Sequence, residues 1–259
     1  YTHPDLVDNI WTNPGEIAGN GIDDDGNGRV DDTVGYDFSD DDADIMDSDG
    51  HGSHVAGTVG ATGNNAEGVV GVNWDVSLMG AKIFPFATTA TVAGAVNYVA
   101  SMRQIHGFNI TAINASYGSY FFTQTEYDSI LSVNNAGVVF VAAAANDALD
   151  NDSTPAYPAS YDLPGIISVA ATDDRDQLSS FSNYGATSVD LGAPGGDQNS
   201  GRPGINSTVP TSVSASGYSE FQGTSMASPH VAGAVGLIRG LNPSLTVQEA
   251  KDAILSTGD

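Results

Sequence analysis

The chain predicts one α/β domain in three layers, a mostly parallel, twisted sheet with helices on both faces. Val138–Ala145 is an unbroken apolar run of strand length, the pattern of a strand covered from both sides. Similar runs, Ile110–Ala115 and Ile166–Ala171, alternate with stretches of helical character, and that order argues a parallel sheet. A length of 259 residues with 31 glycines suits a single loop-rich domain with a substantial core, and no repeat or linker divides it.

Residues 1–50 are rich in Asp, Gly and Asn and lack periodicity, so they read as a ligand-binding loop region. Small residues from His51 to Ala61 predict a closely packed helix, followed through Gly68 by a strand near Val76–Ile83. A helix over about Val92–Ile105 precedes the strand Ile110–Ala115. Thr123 with Glu126, and Thr246 with Glu249, have capping-box spacing and open helices, the first running toward Asn135. Ile166–Ala171 and Val189–Leu191 complete the strands, and the Ala/Gly-rich run Ala227–Ile238 is a helix that begins near Ser225.

Seven basic residues against 32 acids give a net charge of −25, which repels nucleic acid and anionic membranes. Twelve of the 32 acids lie between Asp23 and Asp49, a density that asks for cations. The absence of cysteine removes disulfides and thiol chemistry together. No run approaches the length of an apolar membrane span, and no basic-then-apolar leader stands before Tyr1, as expected where a signal and prosegment have been removed.

Gly223-Thr224-Ser225-Met226-Ala227-Ser228-Pro229-His230 sets a serine at a helix start, and His51-Gly52-Ser53-His54 supplies an imidazole. A serine hydroxyl needs a base to take its proton and donors for the oxyanion that forms. The helix start offers unpaired N–H groups, and Asn146, at the end of the run Val138–Ala145, offers a side-chain amide. Separately, Asp23 to Asp32 places acids or amides (Asp23, Asp25, Asn27, Asp31) at positions 1, 3, 5 and 9 of an EF-hand-like loop, with Gly28 at position 6. Position 12 is Val34, where such a loop needs Glu. Ca2+ is the expected ion, and hard oxygen ligands without cysteine disfavour zinc.

In family order, the segments H-G-S-H-V-A-G-T (51–58), A-A-A-A-N-D (142–147), S-F-S-N-Y-G (180–185), A-P-G-G (193–196) and G-T-S-M-A-S-P-H-V-A-G (223–233) resemble the catalytic domain of subtilisin-like serine proteases, the subtilases. The resemblance spans nearly the whole chain. It implies a subtilisin-like fold, a secreted extracellular endopeptidase acting on polypeptides, and a monomer made with an inhibitory prosegment. It makes Ser225 the nucleophile, His51 the general base, and Asn146 with the Ser225 N–H the oxyanion hole, and it leaves His54 and His230 structural. Ser116-Tyr117-Gly118 is similar to the family's substrate-pairing segment, and Ala144-Ala145 stands beside it, with alanine at 145 where the family commonly has glycine. Asp37, Asp40, Asp42 and Asp44 resemble a calcium segment of thermitase-like members, and Asp5 with the Asn64-Asn65 loop, Glu67 and Val69 resembles another.

The family's orienting aspartate lies in an Asp-(Ser/Thr)-Gly segment shortly before a H-P-D-L segment, and the chain begins Tyr1-Thr2-His3-Pro4-Asp5-Leu6. The expectation is a single subtilase domain shortened at both ends and nearly inactive alone, since losing that aspartate costs roughly 3 × 10⁴ in turnover in subtilisin itself. The competing expectation is a catalytically silent, calcium-binding secreted module that keeps the fold. A sedolisin-like peptidase, which has glutamate for the histidine and aspartate for the asparagine, is disfavoured by His51 and Asn146.

Overall fold

The computed structural model describes residues 1–258. In chain order it contains β1 (Gly35–Asp37), α1 (His51–Gly60), β2 (Gly80–Lys82), α2 (Thr89–Gln104), β3 (Ala112–Ala115), α3 (Gln124–Asn135), β4 (Val139–Ala143), β5 (Ile166–Thr172), β6 (Leu191–Pro194), β7 (Ile205–Thr208), β8 (Tyr218–Phe221), α4 (Thr224–Leu241) and α5 (Val247–Thr257). Strands β3, β4, β5 and β6 form an all-parallel sheet in that order, and β1 pairs in parallel with β2.

Alternation along β4 builds the three layers. Val138, Phe140 and Ala142 pack with Val96, Val99 and Met102 of α2 and Ile130 and Val133 of α3. Val139 and Val141 point the other way, into a second core with Val231 and Val235 of α4 and Ala250 and Ile254 of α5. A strand buried on both faces must be apolar at every position, hence the continuous run read in the sequence. The four-stranded sheet is the central layer.

The predicted helices start where their caps are. Thr246 and Glu249 form a reciprocal capping box at α5, whereas at α3 Thr123 accepts the Glu126 amide but the Glu126 carboxylate accepts from Tyr161 Oη instead. The expected strand Val76–Ile83 shortens to Gly80–Lys82 because Leu78 pairs with residues 9 and 11 of the N-terminal segment. The antiparallel hairpin β7–β8 was not among the predicted elements, since its strands carry no continuous apolar run.

The acidic region is anchored to the body by Asp32, which is fully buried and accepts from Tyr98 Oη at 2.5 Å, Asn27 Nδ2 at 2.8 Å and Asn13 Nδ2 at 3.1 Å. Burial pushes its carboxyl up, against those three donors. Ile167 is fully buried in β5, so Ile167→Ala is expected to cost about 2–5 kcal/mol, against about 0.5–1.5 for Ile167→Val. Equal denaturant midpoints for parent and Ile167→Ala would contradict this packing.

Candidate active site

The site forms where the carboxyl ends of β3 and β4 meet the first turn of α4, the edge at which ligands bind in open parallel sheets. Gly223, at φ 147°, enters the helix in a backbone conformation that favours glycine. Its N–H donates to the Gly195 carbonyl at 3.0 Å, and a Cβ on Gly195 would stand 2.7 Å from the Gly223 oxygen. The A-P-G-G segment at the end of β6 is therefore small so that the serine turn can dock on it.

Beyond the end of β4, the Asn146 carboxamide oxygen accepts from the Thr224 N–H at 2.8 Å and from Thr224 Oγ1 at 3.0 Å. This fixes the amide rotation and leaves Nδ2 without a partner among the described residues, as is the Ser225 N–H. The point where a Cβ on Gly223 would stand lies 3.6 Å from Ser225 N, 3.6 Å from Asn146 Oδ1 and 3.8 Å from Asn146 Nδ2. The two free donors thus border one backbone turn, where the nearer Asn146 atom is the oxygen that Thr224 holds.

Pro229, inside α4, has no N–H and frees the Ser225 carbonyl, which accepts from Ser116 Oγ at 2.8 Å. The Ser225 hydroxyl in turn lies 3.4 Å from the Ser116 carbonyl. Ser116 also accepts from Asn114 Nδ2 at 2.9 Å, so the end of β3 is tied to the serine helix by side chains from both elements.

His51 opens α1, and its ring lines the same cleft as Ser225, Asn146, Phe221 and Met226, a volume of about 450 Å³. Asp47 caps that helix by accepting from the Ser53 amide at 2.7 Å and the Gly50 amide at 3.0 Å, and Asp49 accepts from the His51 amide at 2.8 Å. Among the described residues no carboxylate is hydrogen-bonded to the His51 ring. Burial lowers its pKa below the ordinary histidine value, with Asp49 and Asp47 pulling the other way. His54 stacks on Phe221 at 4.6 Å and bonds the Ile205 carbonyl, and His230 bonds the Met226 carbonyl, the structural roles expected of both.

The family model of the subtilases matches residues 1–259. The chain belongs to the subtilase family. It is 34% identical to the thermophilic serine proteinase of Bacillus sp. (strain AK1) over 266 residues, covering 100% of this chain and 55% of that protein. It is also 34% identical to thermitase of Thermoactinomyces vulgaris over 232 residues, 86% of this chain and 75% of that protein. The solved structure of sphericase superposes with a TM-score of 0.75 at 26% identity, covering 98% of this chain and 78% of that one. The chain spans about half the length of the first curated relatives it matches.

Within this subtilase, the residues expected to line the substrate divide. Gly118 is exposed past the end of β3, but Tyr117 turns its ring into the core beside Glu126, and burial together with that carboxyl raises its pKa. The Tyr117 ring thus packs against the core with its hydroxyl buried, leaving the side chain partly exposed. Ala144 is fully buried, and Ala145 stands at φ 86°, a left-handed conformation that suits the glycine common in the family.

The metal ligands divide as well. Among the described residues the carboxylates that gather in threes are Glu16, Asp23 and Asp25, with ligand atoms within 4.8 Å of one another. Glu16 comes from ahead of the loop, a residue the linear spacing did not reveal. Asp31 gives this cluster its amide, which donates to Glu16 at 3.1 Å, while its carboxylate accepts from Asn20 and Gly21. Asn27 donates to Asp25 and Asp32, and its oxygen accepts from the Arg29 amide. Asp37 pairs with Lys82 at 2.6 Å, and Asp40 and Asp42 are exposed, so the second expected segment does not gather. Asp5 and Asn65 do meet, at 2.7 Å, and the other Asp5 oxygen accepts from the Val69 amide and Tyr218 Oη, each at 2.9 Å.

With His51 as the expected general base, its burial predicts an acid limb of kcat/KM below the ordinary histidine value of about 6.5. A pH–rate profile with that limb above neutrality would contradict the buried setting of the imidazole.

Proposed function

We propose that this chain is the catalytic domain of a secreted serine endopeptidase that cleaves polypeptides through an acyl-enzyme on Ser225. The one cleft that His51, Ser225 and Asn146 line together, with Asn146 fixed on the serine turn by Thr224, carries the reading. A peptide carbonyl carbon placed at Ser225 Oγ directs its oxygen into that cleft. As Oγ attacks, His51 takes its proton, and the Ser225 N–H and Asn146 Nδ2 meet the charge that develops on oxygen. His51 then returns the proton to the departing amine nitrogen, and a water molecule repeats the sequence on the ester. Extended substrate pairs with the exposed edge at Ser116–Gly118 through backbone hydrogen bonds.

The relay needs a carboxylate on the far nitrogen of His51, and Asp47 and Asp49 are engaged with backbone amides instead. Residues 1–259 alone are therefore expected to turn over slowly until such a group is supplied, by a factor on the order of the 10⁴ found in subtilisin, a member of this family.

Calcium fits the Glu16, Asp23 and Asp25 cluster, three hard oxygen donors with no arginine or lysine paired to them among the described residues. The ion, when bound, neutralises their mutual repulsion and fixes the loop that Asp32 anchors. The chain has no cysteine, so no disulfide supplies a cross-link and an ion held here would supply one.

In the full-length protein, a phosphonofluoridate reagent is expected to label Ser225, and Ser225→Ala to abolish both labelling and cleavage of denatured protein. A parent that takes no label is the catalytically silent module instead. Chelation is expected to lower the melting temperature, and Glu16→Ala to remove most of that response; a midpoint indifferent to calcium would reject the cation site.

A further inference from the structure

The segment Ser180–Gly185 takes no part in the chemistry above, yet its Asn183 is fully buried and uses every hydrogen-bonding position of its carboxamide. Oδ1 accepts from the Asp147 amide at 2.8 Å and the Leu149 amide at 3.1 Å. Nδ2 donates to Asn151 Oδ1 at 2.9 Å and Tyr120 Oη at 3.1 Å. Its own backbone N–H donates to the Ala145 carbonyl at 3.0 Å.

The Ala145 carbonyl and the Asp147 amide belong to the two peptide groups that flank Asn146. One residue therefore grips the backbone on both sides of the oxyanion donor. The grip falls where it is needed, because Ala145 at φ 86° occupies a conformation that costs an alanine roughly 1–2 kcal/mol and that a free loop would leave. Asn151, itself buried, extends the clamp by donating to the Ala144 carbonyl at 2.9 Å, and Tyr120 closes it by donating to Asp147 Oδ2.

We propose that Asn183 is a positioning residue for the oxyanion site: it holds the Asn146 main chain in place while Thr224 sets the rotation of the Asn146 amide. The proposal rests on the assignment of Asn146 made above. Thr224 alone fixes a torsion, not a location. Displacing a transition-state donor by about 1 Å costs on the order of 10² in rate, and the substrate ground state, bound along Ser116–Gly118, is little affected.

A double-mutant cycle in the full-length protein tests this, with kcat and KM measured on a chromogenic peptide anilide and the active fraction titrated by an organophosphorus reagent. Asn146→Ala is expected to lower kcat about 10²–10³-fold, the range known from subtilisin itself. Asn183→Ala is expected to lower kcat roughly tenfold to a hundredfold at nearly constant KM, and to cause no further loss in the Asn146→Ala background. Equal losses in the two backgrounds, or a KM effect with kcat unchanged, overturn the proposal. An Asn146→Ala variant with parental kcat removes the oxyanion assignment itself, a separate failure. Where Asn183→Ala does not fold, Asn183→Asp keeps the acceptor for Asp147 and goes through the same cycle: a several-fold loss confined to the Asn146 background supports the clamp, and an equal loss in both sinks it.

Discussion

The contact between the Asn146 carboxamide and the first turn of α4 is the constraint on which the site depends. A helix start leaves N–H groups that need partners, and the end of a buried strand leaves a side chain free to supply one. By accepting from Thr224 twice, Asn146 satisfies part of the helix end and keeps its donor group free of partners among the described residues. The contact needs close approach of three backbones. Gly195 and Gly223 permit it on one side, and Ser116 on the Ser225 carbonyl secures the other. The residues that close the sheet against the helix thus also set the reacting geometry, which explains why so many small and polar side chains sit where a core would otherwise be apolar.

Electrostatics follows a second economy. All seven basic residues are engaged: Arg29, Lys82, Arg175, Arg202 and Lys251 pair with acids, while Arg103 and Arg239 bond the Ala136 and Gly137 carbonyls just past α3. Cations at a helix end of that polarity are favourable. Many of the remaining acids are answered by amides, carboxamides or hydroxyls, as at Asp152, whose carboxyl is held down to about 2, first by the Ser188 and Thr187 hydroxyls and then by their backbone amides. A carboxylate can be stabilised by amides without losing its charge, so the surplus persists and tracks the surface.

Much of this was legible in the sequence because it is written in local patterns. Strand β4 could be read from its continuous apolar run, α5 from a complete capping box, and the family from segments in which several residues act together. What escaped reading depends on contacts distant in sequence. Glu16 joins Asp23 and Asp25 only after the chain turns back on itself, so a loop scored by position looked short of a ligand. Tyr117 stood in a substrate-pairing segment, yet its ring finds the core beside Glu126. The hairpin β7–β8 gains its order from α1, where Ser207 and Thr208 donate to the His54 and Ser53 carbonyls, and not from a pattern of its own.

His51 joins the two themes. It stands at the amino end of α1, where the helix dipole and burial both oppose an imidazolium. Asp47 and Asp49 hold this helix end through backbone amides, and their charge partly offsets the burial that lowers the ring's pKa. The Asp47 carboxyl is itself raised by burial, but the Ser53 and Gly50 amides outweigh that and leave it lower than usual. It therefore remains charged over the range in which an imidazole titrates, so its field at the ring does not change with the ring's proton. A buried acid whose own proton moved in step with the imidazole would blunt the base; a capping acid fixed by amides does not.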